Sequence, residues 1–466
     1  MYRNYCYFLI LAIFLLSQAN PARGDDNASQ RYNSSANPLL FPTKKEEVEI
    51  RKRQSISLND AIRIALENNK QLRAARIQLE RAQEGLKAAL ATELPTVTGQ
   101  LEFNQRADDA PNIPSARDRT LLLGQVELRY NLYDGGRRDA TISRAEREVY
   151  LNKLEIERIA EQVRFEVTDA YYKLQNADAQ VAIAQAAIED FSQTLRDAQL
   201  LERAGLGTKF DVLQAEVDLA NAQSALTRAI SQQRNARREL ARVLGVGEDV
   251  ELTAADEIKE AGDWQYTLEE TIVMAYRNRA ELQQQLVRRE ISEKNREIAL
   301  ADTRPNVSLF FNYNFSNTFH DTFGPSGYAQ GYNLGARVSW NIFDGGVAKA
   351  RANQETKTKE IEETNFASQR NQIRLAVETA YNRMIANKEN IKTTEKAVAT
   401  AVESLRLARL RFQAGVGTQT DVINAQRNLT EARGNFLQAI IGYNQALNEL
   451  QRAVSNLPDK GLFQFR

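Results

Sequence analysis

The sequence predicts a mostly helical fold with a small β part, built as two tandem copies of one helix–strand–strand–helix–helix unit. Three observations carry this. Landmarks recur at a constant offset of 210 residues. Two segments in each copy alternate apolar and polar residues, which is the period of a strand. Between Arg137 and Arg203 there is no glycine or proline, so one helix can run for roughly 100 Å at 1.5 Å per residue.

The offset is read from paired landmarks. Asp-Gly-Gly stands at 134–136 and again at 344–346; Leu58, Pro95 and Tyr171 answer to Leu268, Pro305 and Tyr381; GLGTKFDVLQAEVDL at 205–219 answers to GVGTQTDVINAQRNL at 415–429. Surface loops tolerate length changes, so strict register means that segment lengths matter. A period this long marks a duplicated domain rather than a short-repeat solenoid.

Outside the copies the chain is simple. Arg3 followed by the apolar run Tyr7–Leu16 and small residues fits a signal peptide over 1–24. Cys6, the one cysteine, lies inside it, which leaves no thiol for disulfides, thiolate metal sites or nucleophilic catalysis. Residues 25–54 are polar and aperiodic and read as a flexible leader. The copies are expected over 55–246 and 265–456, with a linker at 247–264 and a tail at 457–466. Lys+Arg and Asp+Glu balance at 61 each, which argues against a nucleic-acid partner.

Each copy opens with a helix, 58–93 and 268–304, N-capped by Ser57 and Thr267 and stopped before Pro95 and Pro305. Strands are expected at about 95–106 and 120–133, then 305–316 and 329–343. Val97, Leu101 and Phe103 oppose Thr98, Gln100, Glu102 and Asn104; Leu334, Val338, Trp340 and Ile342 oppose Asn333, Arg337 and Asn341. The long second helix keeps a heptad through Val163, Val167, Ala170, Leu174, Ala177 and Val181, and copy two keeps Val377, Ala380, Met384 and Ile391 in the same register. A short break, Ala204-Gly205-Leu206-Gly207-Thr208, or Ala414-Gly415-Val416-Gly417-Thr418, turns the chain into a third helix. The first and third helices, placed end to end, match the length of the uninterrupted one, as columns of a wall would.

Four strands cannot close a barrel, since small closed barrels need about eight. Three chains would supply 12, each strand long enough to cross a bilayer at a tilt. Pattern alone leaves a second reading open, a small soluble sheet capping a coiled coil. His320, the single histidine, falls between the copy-two strands and reads as a solvated loop residue; no second His or Cys could join it on a metal. The Gly-Leu-Gly-Thr turn lacks the Gly-Lys-Ser/Thr ending of a phosphate loop. No nucleophile or cofactor constellation is present, so neither an envelope hydrolase nor an adaptor with one hairpin and separate β modules fits as well as a passive duct.

The duplicated unit, the strand pair ending in Asp-Gly-Gly and the two tips resemble the TolC family of outer-membrane efflux proteins, over about residues 55–456. The resemblance implies a homotrimer in the outer membrane of a Gram-negative-type cell, with a 12-stranded transmembrane barrel on a periplasmic coiled-coil tunnel. It implies that the tips, residues 204–208 and 414–418, dock a periplasmic adaptor attached to an inner-membrane efflux pump or ABC transporter, for efflux of small molecules, type I protein secretion, or both. Asp421 matches an aspartate that rings the narrow periplasmic entrance in the best-known member of that family, with Asp211 as its copy-one counterpart. Where that member carries a second aspartate and a gate arginine, this chain has Asn424 and Gly417. An acidic residue near a helix start is also an ordinary cap, and the sequence leaves gate and cap both open.

Overall fold

In a computed structural model, residues 43–45, 49–50, 52–108, 117–246, 250–321 and 324–455 are described. The expected signal peptide, most of the leader and the C-terminal tail lie outside them. In chain order the elements are β1 (Lys52–Ile56), α1 (Leu58–Asn68), α2 (Lys70–Leu90), β2 (Thr96–Asp108), β3 (Arg117–Tyr133), α3 (Arg137–Arg203), α4 (Lys209–Leu244) and β4 (Val250–Ala254). Copy two follows with α5 (Leu268–Asn278), α6 (Ala280–Ala301), β5 (Asn306–Asp321), β6 (Gly327–Ser339), α7 (Val347–Gln413) and α8 (Gln419–Val454). The long helices are 67 residues each and the returning ones 36 each.

The caps explain these boundaries. Ser57 accepts from the Asp60 amide, and Thr267 forms a reciprocal capping box with Glu270. The Asp-Gly-Gly motif is a helix starter. Asp344 Oδ2 accepts from the Ala348 amide at 2.7 Å and Oδ1 from the Gly346 amide at 2.8 Å, while Gly345 and Gly346 take φ values of 70° and 88° that favour glycine. Those backbone bonds, led by Ala348, hold the Asp344 carboxyl below its ordinary value.

Three expectations need correction. The opening helix of each copy is two helices, broken at Asn69 and Arg279, whose ψ values of 128° and 116° are extended. Asn69 ends α1 and caps α2 by accepting from the Gln71 and Leu72 amides, while its Nδ2 reaches Val243 O at the end of α4. The end-to-end meeting of two helices makes the break, and no glycine or proline announces it. Second, the leader gives up its last residues to β1, which pairs in parallel with β4 inside the expected linker; Ile56 and Leu252 anchor that pair in the copy-one core. Third, β5 runs on to Asp321, so His320 is an exposed strand residue opposite Thr120. β6 stops at Ser339, because Trp340 leaves the sheet to donate its indole N–H to Thr303 O at 3.0 Å.

The helices form four columns. End-stacked α2 and α4 lie on one side of α3; end-stacked α6 and α8 lie on its other side; α7 packs on α6 and α8. Beyond them β2-β3-β5-β6 forms one antiparallel sheet, with β2 and β6 as its edges. In register, Val97, Leu128, Phe311 and Leu334 lie in one row, as do Gly99, Val126, Tyr313 and Tyr332, so one face of the sheet is largely apolar, interrupted by Asn317 and Gln330. Gly124 belongs to this face because the Phe315 ring lies across it, where any Cβ would overlap.

Candidate docking tips and gate

Each tip begins where a long helix runs out of partners for its last carbonyls. At copy one, Leu206 N donates to Leu201 O at 2.9 Å and Gly205 N to Glu202 O at 3.0 Å. Copy two repeats the pair with Val416 to Arg411 O and Gly415 to Phe412 O, both at 3.0 Å. This is the Schellman closure, and it needs a left-handed residue, supplied by Gly205 and Gly415 at φ 73° each. The second glycine of each tip is needed for closeness instead. A Cβ at Gly207 would stand 3.1 Å from Leu201 Cβ, and one at Gly417 3.1 Å from Arg411 Cβ. A side chain at 417 would press on Arg411 and Phe412, which would have to give by a few tenths of an ångström. Between the glycines, Leu206 and Val416 project into solvent, 79% and 68% exposed.

Thr208 and Thr418 then start the returning helices through matched capping boxes. Each hydroxyl accepts from the amide of Asp211 or Asp421, and each carboxylate accepts from the threonine amide, at 3.1 and 2.9 Å. The backbone N–H and hydroxyl of Thr418 hold the Asp421 carboxyl below its ordinary value. Both aspartates therefore cap their helices, and both leave a negative charge at the tip.

The structure joins the two tips. Gln419 Nε2 donates to Asp211 O at 3.1 Å across a cleft walled by Leu201, Gly207 and Phe412. Farther up, a polar seam ties copy two to copy one: Arg409 to Asp190 at 2.8 Å, Gln426 to Thr194 Oγ1 at 2.8 Å, and Arg427 to buried Asp218. Sequence reasoning missed this seam because its members break the repeat. Arg409, Gln426 and Arg427 stand where copy one has Gln199, Glu216 and Val217. One signal existed, since Gln426 falls in core register between Val422 and Leu429.

Among the described residues no cluster of His, Cys, Asp and Glu could hold a metal, and no helix is long and apolar enough to cross a membrane. The latter says nothing of a β-barrel.

Comparison with known proteins agrees with this architecture. The family model described as outer membrane efflux protein matches twice, over residues 61–246 and 271–456, one match in each half of the repeat. The chain is similar to the outer membrane efflux protein BepC of Brucella suis, at 21% identity, covering 83% of this chain and 82% of that one. It is also similar to the outer membrane protein TolC of Vibrio cholerae, at 23% identity, covering 85% and 90%. Its fold matches the crystal structure of VceC from Vibrio cholerae with a TM-score of 0.71 at 19% identity, covering 85% of this chain and 96% of that one. The chain belongs to the outer membrane efflux protein family, and it is an outer-membrane exit duct.

Proposed function

We propose, with family membership as the premise, that three copies of this chain close their sheets into one 12-stranded barrel and their columns into one tunnel. A passive duct of this kind moves solutes or secreted polypeptide and carries out no catalysis of its own. The observation that carries the reading is the unfinished sheet. Among the described residues β2 and β6 are unpaired edges beside a largely apolar face, and neither arrangement is stable alone in lipid, where every backbone polar group needs a partner. Columns α2/α4 and α7 are likewise open on their outer sides. Mass measurement in detergent and conductance in planar bilayers test the assembly; a monomer without conductance would end the reading.

The tips are the proposed docking site for a periplasmic adaptor bound to an inner-membrane efflux pump or ABC transporter. Two projecting apolar residues, Leu206 and Val416, on glycine-closed turns at the far end of the columns support that role. Replacing Gly205 and Gly415 together with valine strains both turns and is expected to abolish export while trimer yield stays intact. Export at the wild-type level would reject docking here.

The gate reading assigns Asp421, and more weakly Asp211, to a ring of negative charge at the periplasmic entrance. Their capping bonds favour a helix-start role, and the gate role is a further property of the same charge. Charged rings select ions by sign, so Asp421→Ala should lower cation selectivity in a salt gradient, with Asp211→Ala acting less. An unchanged reversal potential with a lowered Tm would leave Asp421 as a cap alone.

A further inference from the structure

The stacked columns are spliced differently in the two copies. In copy one the splice is neutral: Asn69 Nδ2 donates to Val243 O, and its Oδ1 accepts from two amides. In copy two the same position is Arg279, whose Nη1 donates to the last carbonyls of α8, Arg452 O at 3.0 Å and Ala453 O at 3.5 Å. A cation on a helix C-terminus is favourable, but this one sits in a buried cluster between the copies. Glu281 Oε1 accepts from both Arg279 at 2.9 Å and Arg452 at 3.2 Å. From α3, Glu161, only 3% exposed, meets Arg164 at no less than 3.3 Å, and Arg164 reaches on to Gln451 of α8. The cluster is under-satisfied: Glu161 Oε1, Glu281 Oε2, Arg279 Nε and Arg452 Nη1 are all buried with no hydrogen-bond partner among the described residues. Unpaired buried polar atoms are costly, so one added proton can change the balance of the joint.

We propose that this joint is a proton-operated clamp, in which uptake of a proton by Glu161 tightens the hold of α6 and α3 on the end of α8. The groups facing Glu161 are Arg164 on its own helix, Arg452 on α8, and Arg279 with Glu281 at the α5–α6 break. The sign follows from burial. Desolvation holds the Glu161 carboxyl above its ordinary 4.5, outweighing Arg164, Arg452 and Arg279. The tight joint therefore binds the proton more firmly than an opened joint in which Glu161 meets water, and raising the pH through that raised value loosens it. Glu281 works the other way. Burial pushes it up, but Arg279 and Arg452 pull it below 4.5, so its contribution is present above 4.5 and lost in stronger acid. The clamp is tightest in mild acid. Because α8 starts at the proposed docking tip, its grip sets how firmly that tip is held. This consequence rests on the duct reading; the clamp itself does not.

Amide exchange over residues 446–454 of the full-length protein in detergent tests it, at about pH 5 and about pH 7.5, corrected for the intrinsic pH dependence of exchange. Protection is expected to be several-fold higher at the acid value, while residues 236–244 at the neutral splice stay level. Glu161→Gln, which mimics the protonated group, should raise protection at the higher pH and abolish its pH dependence. Equal protection at both pH values in the wild type, or a loss on acidification, overturns the clamp even if the variant fails to assemble. A drop in protection in Glu161→Gln at the higher pH would also overturn it, by making Glu161 a simple partner of Arg164. Conductance measured in parallel separates the two ideas, since a protein that forms no channel rejects the duct and leaves the exchange result standing.

Discussion

Helices α3 and α7 have the same length and the same heptad register, 210 residues apart, but different surroundings. α3 buries 21 residues and α7 buries 8. The reason is place in the row of columns. α3 stands between α2/α4 and α6/α8, so it needs a second stripe on the face that meets copy two, where Arg164 reaches Gln451 and Thr194 meets Gln426. α7 has neighbours on one side only, and its outer side shows Leu375, Ile385 and Val402. The returning helices invert the contrast, with 9 buried residues in outer α4 and 17 in inner α8. Duplication therefore supplies equal columns, and position assigns each a core face or an edge face. An edge of this length with exposed large apolar residues is a surface made to be covered.

The comparison can be broken most directly at Leu174 and its counterpart Met384. Leu174 is 0% exposed, between columns on both sides, so Leu174→Ala should cost about 3–5 kcal/mol. Met384→Ala, on the edge column, should fall at the low end of that range; equal losses of Tm in the two variants would contradict the inner–outer distinction. Next in size, Leu375 is 65% exposed in one chain, and if the neighbouring chain covers it, Leu375→Asp should weaken assembly by about 2–3 kcal/mol per interface. Mass in detergent should then show monomer with helix content retained by circular dichroism. Smaller still, Thr208→Ala and Thr418→Ala each remove a cap and should cost about 1 kcal/mol, read as faster amide exchange in the first turns of α4 and α8. The smallest effect concerns Asp421. Its carboxyl is held below 3.8, so its contribution is present above 3.8 and lost as pH falls through the lower folded value. First-turn protection in α8 should decline in that window in the wild type and stay flat in Asp421→Ala.

Much of this was legible before any coordinates. The bounds 137–203 follow from a breaker-free stretch between Asp-Gly-Gly and Ala-Gly-Leu-Gly, and the strand faces follow from strict alternation. The caps at Ser57 and Thr267 are local chemistry between a hydroxyl and the amide three residues on, and the boxes at Thr208 and Thr418, which the structure adds, are of the same kind. The tips needed nothing beyond their own glycines. Such features depend on neighbours in sequence, and the backbone rules that govern them act over one turn or less.

What lay out of reach were the meetings of distant segments. Asn69 and Arg279 break their helices where α4 and α8 end beside them; Asn69 is a ready cap for α2, but nothing local at Arg279 announces the break. β1 strands because β4, some 200 residues away, offers it an edge. Glu161 reads as one more carboxylate on a charged helix until the ends of α6 and α8 close over it. The sequence by itself determined the columns, the strands and the turns, because those are set by local periodicity and capping. Only the tertiary structure decided which column is inner, where the columns are spliced and which charges are buried, because burial is a property of what packs alongside.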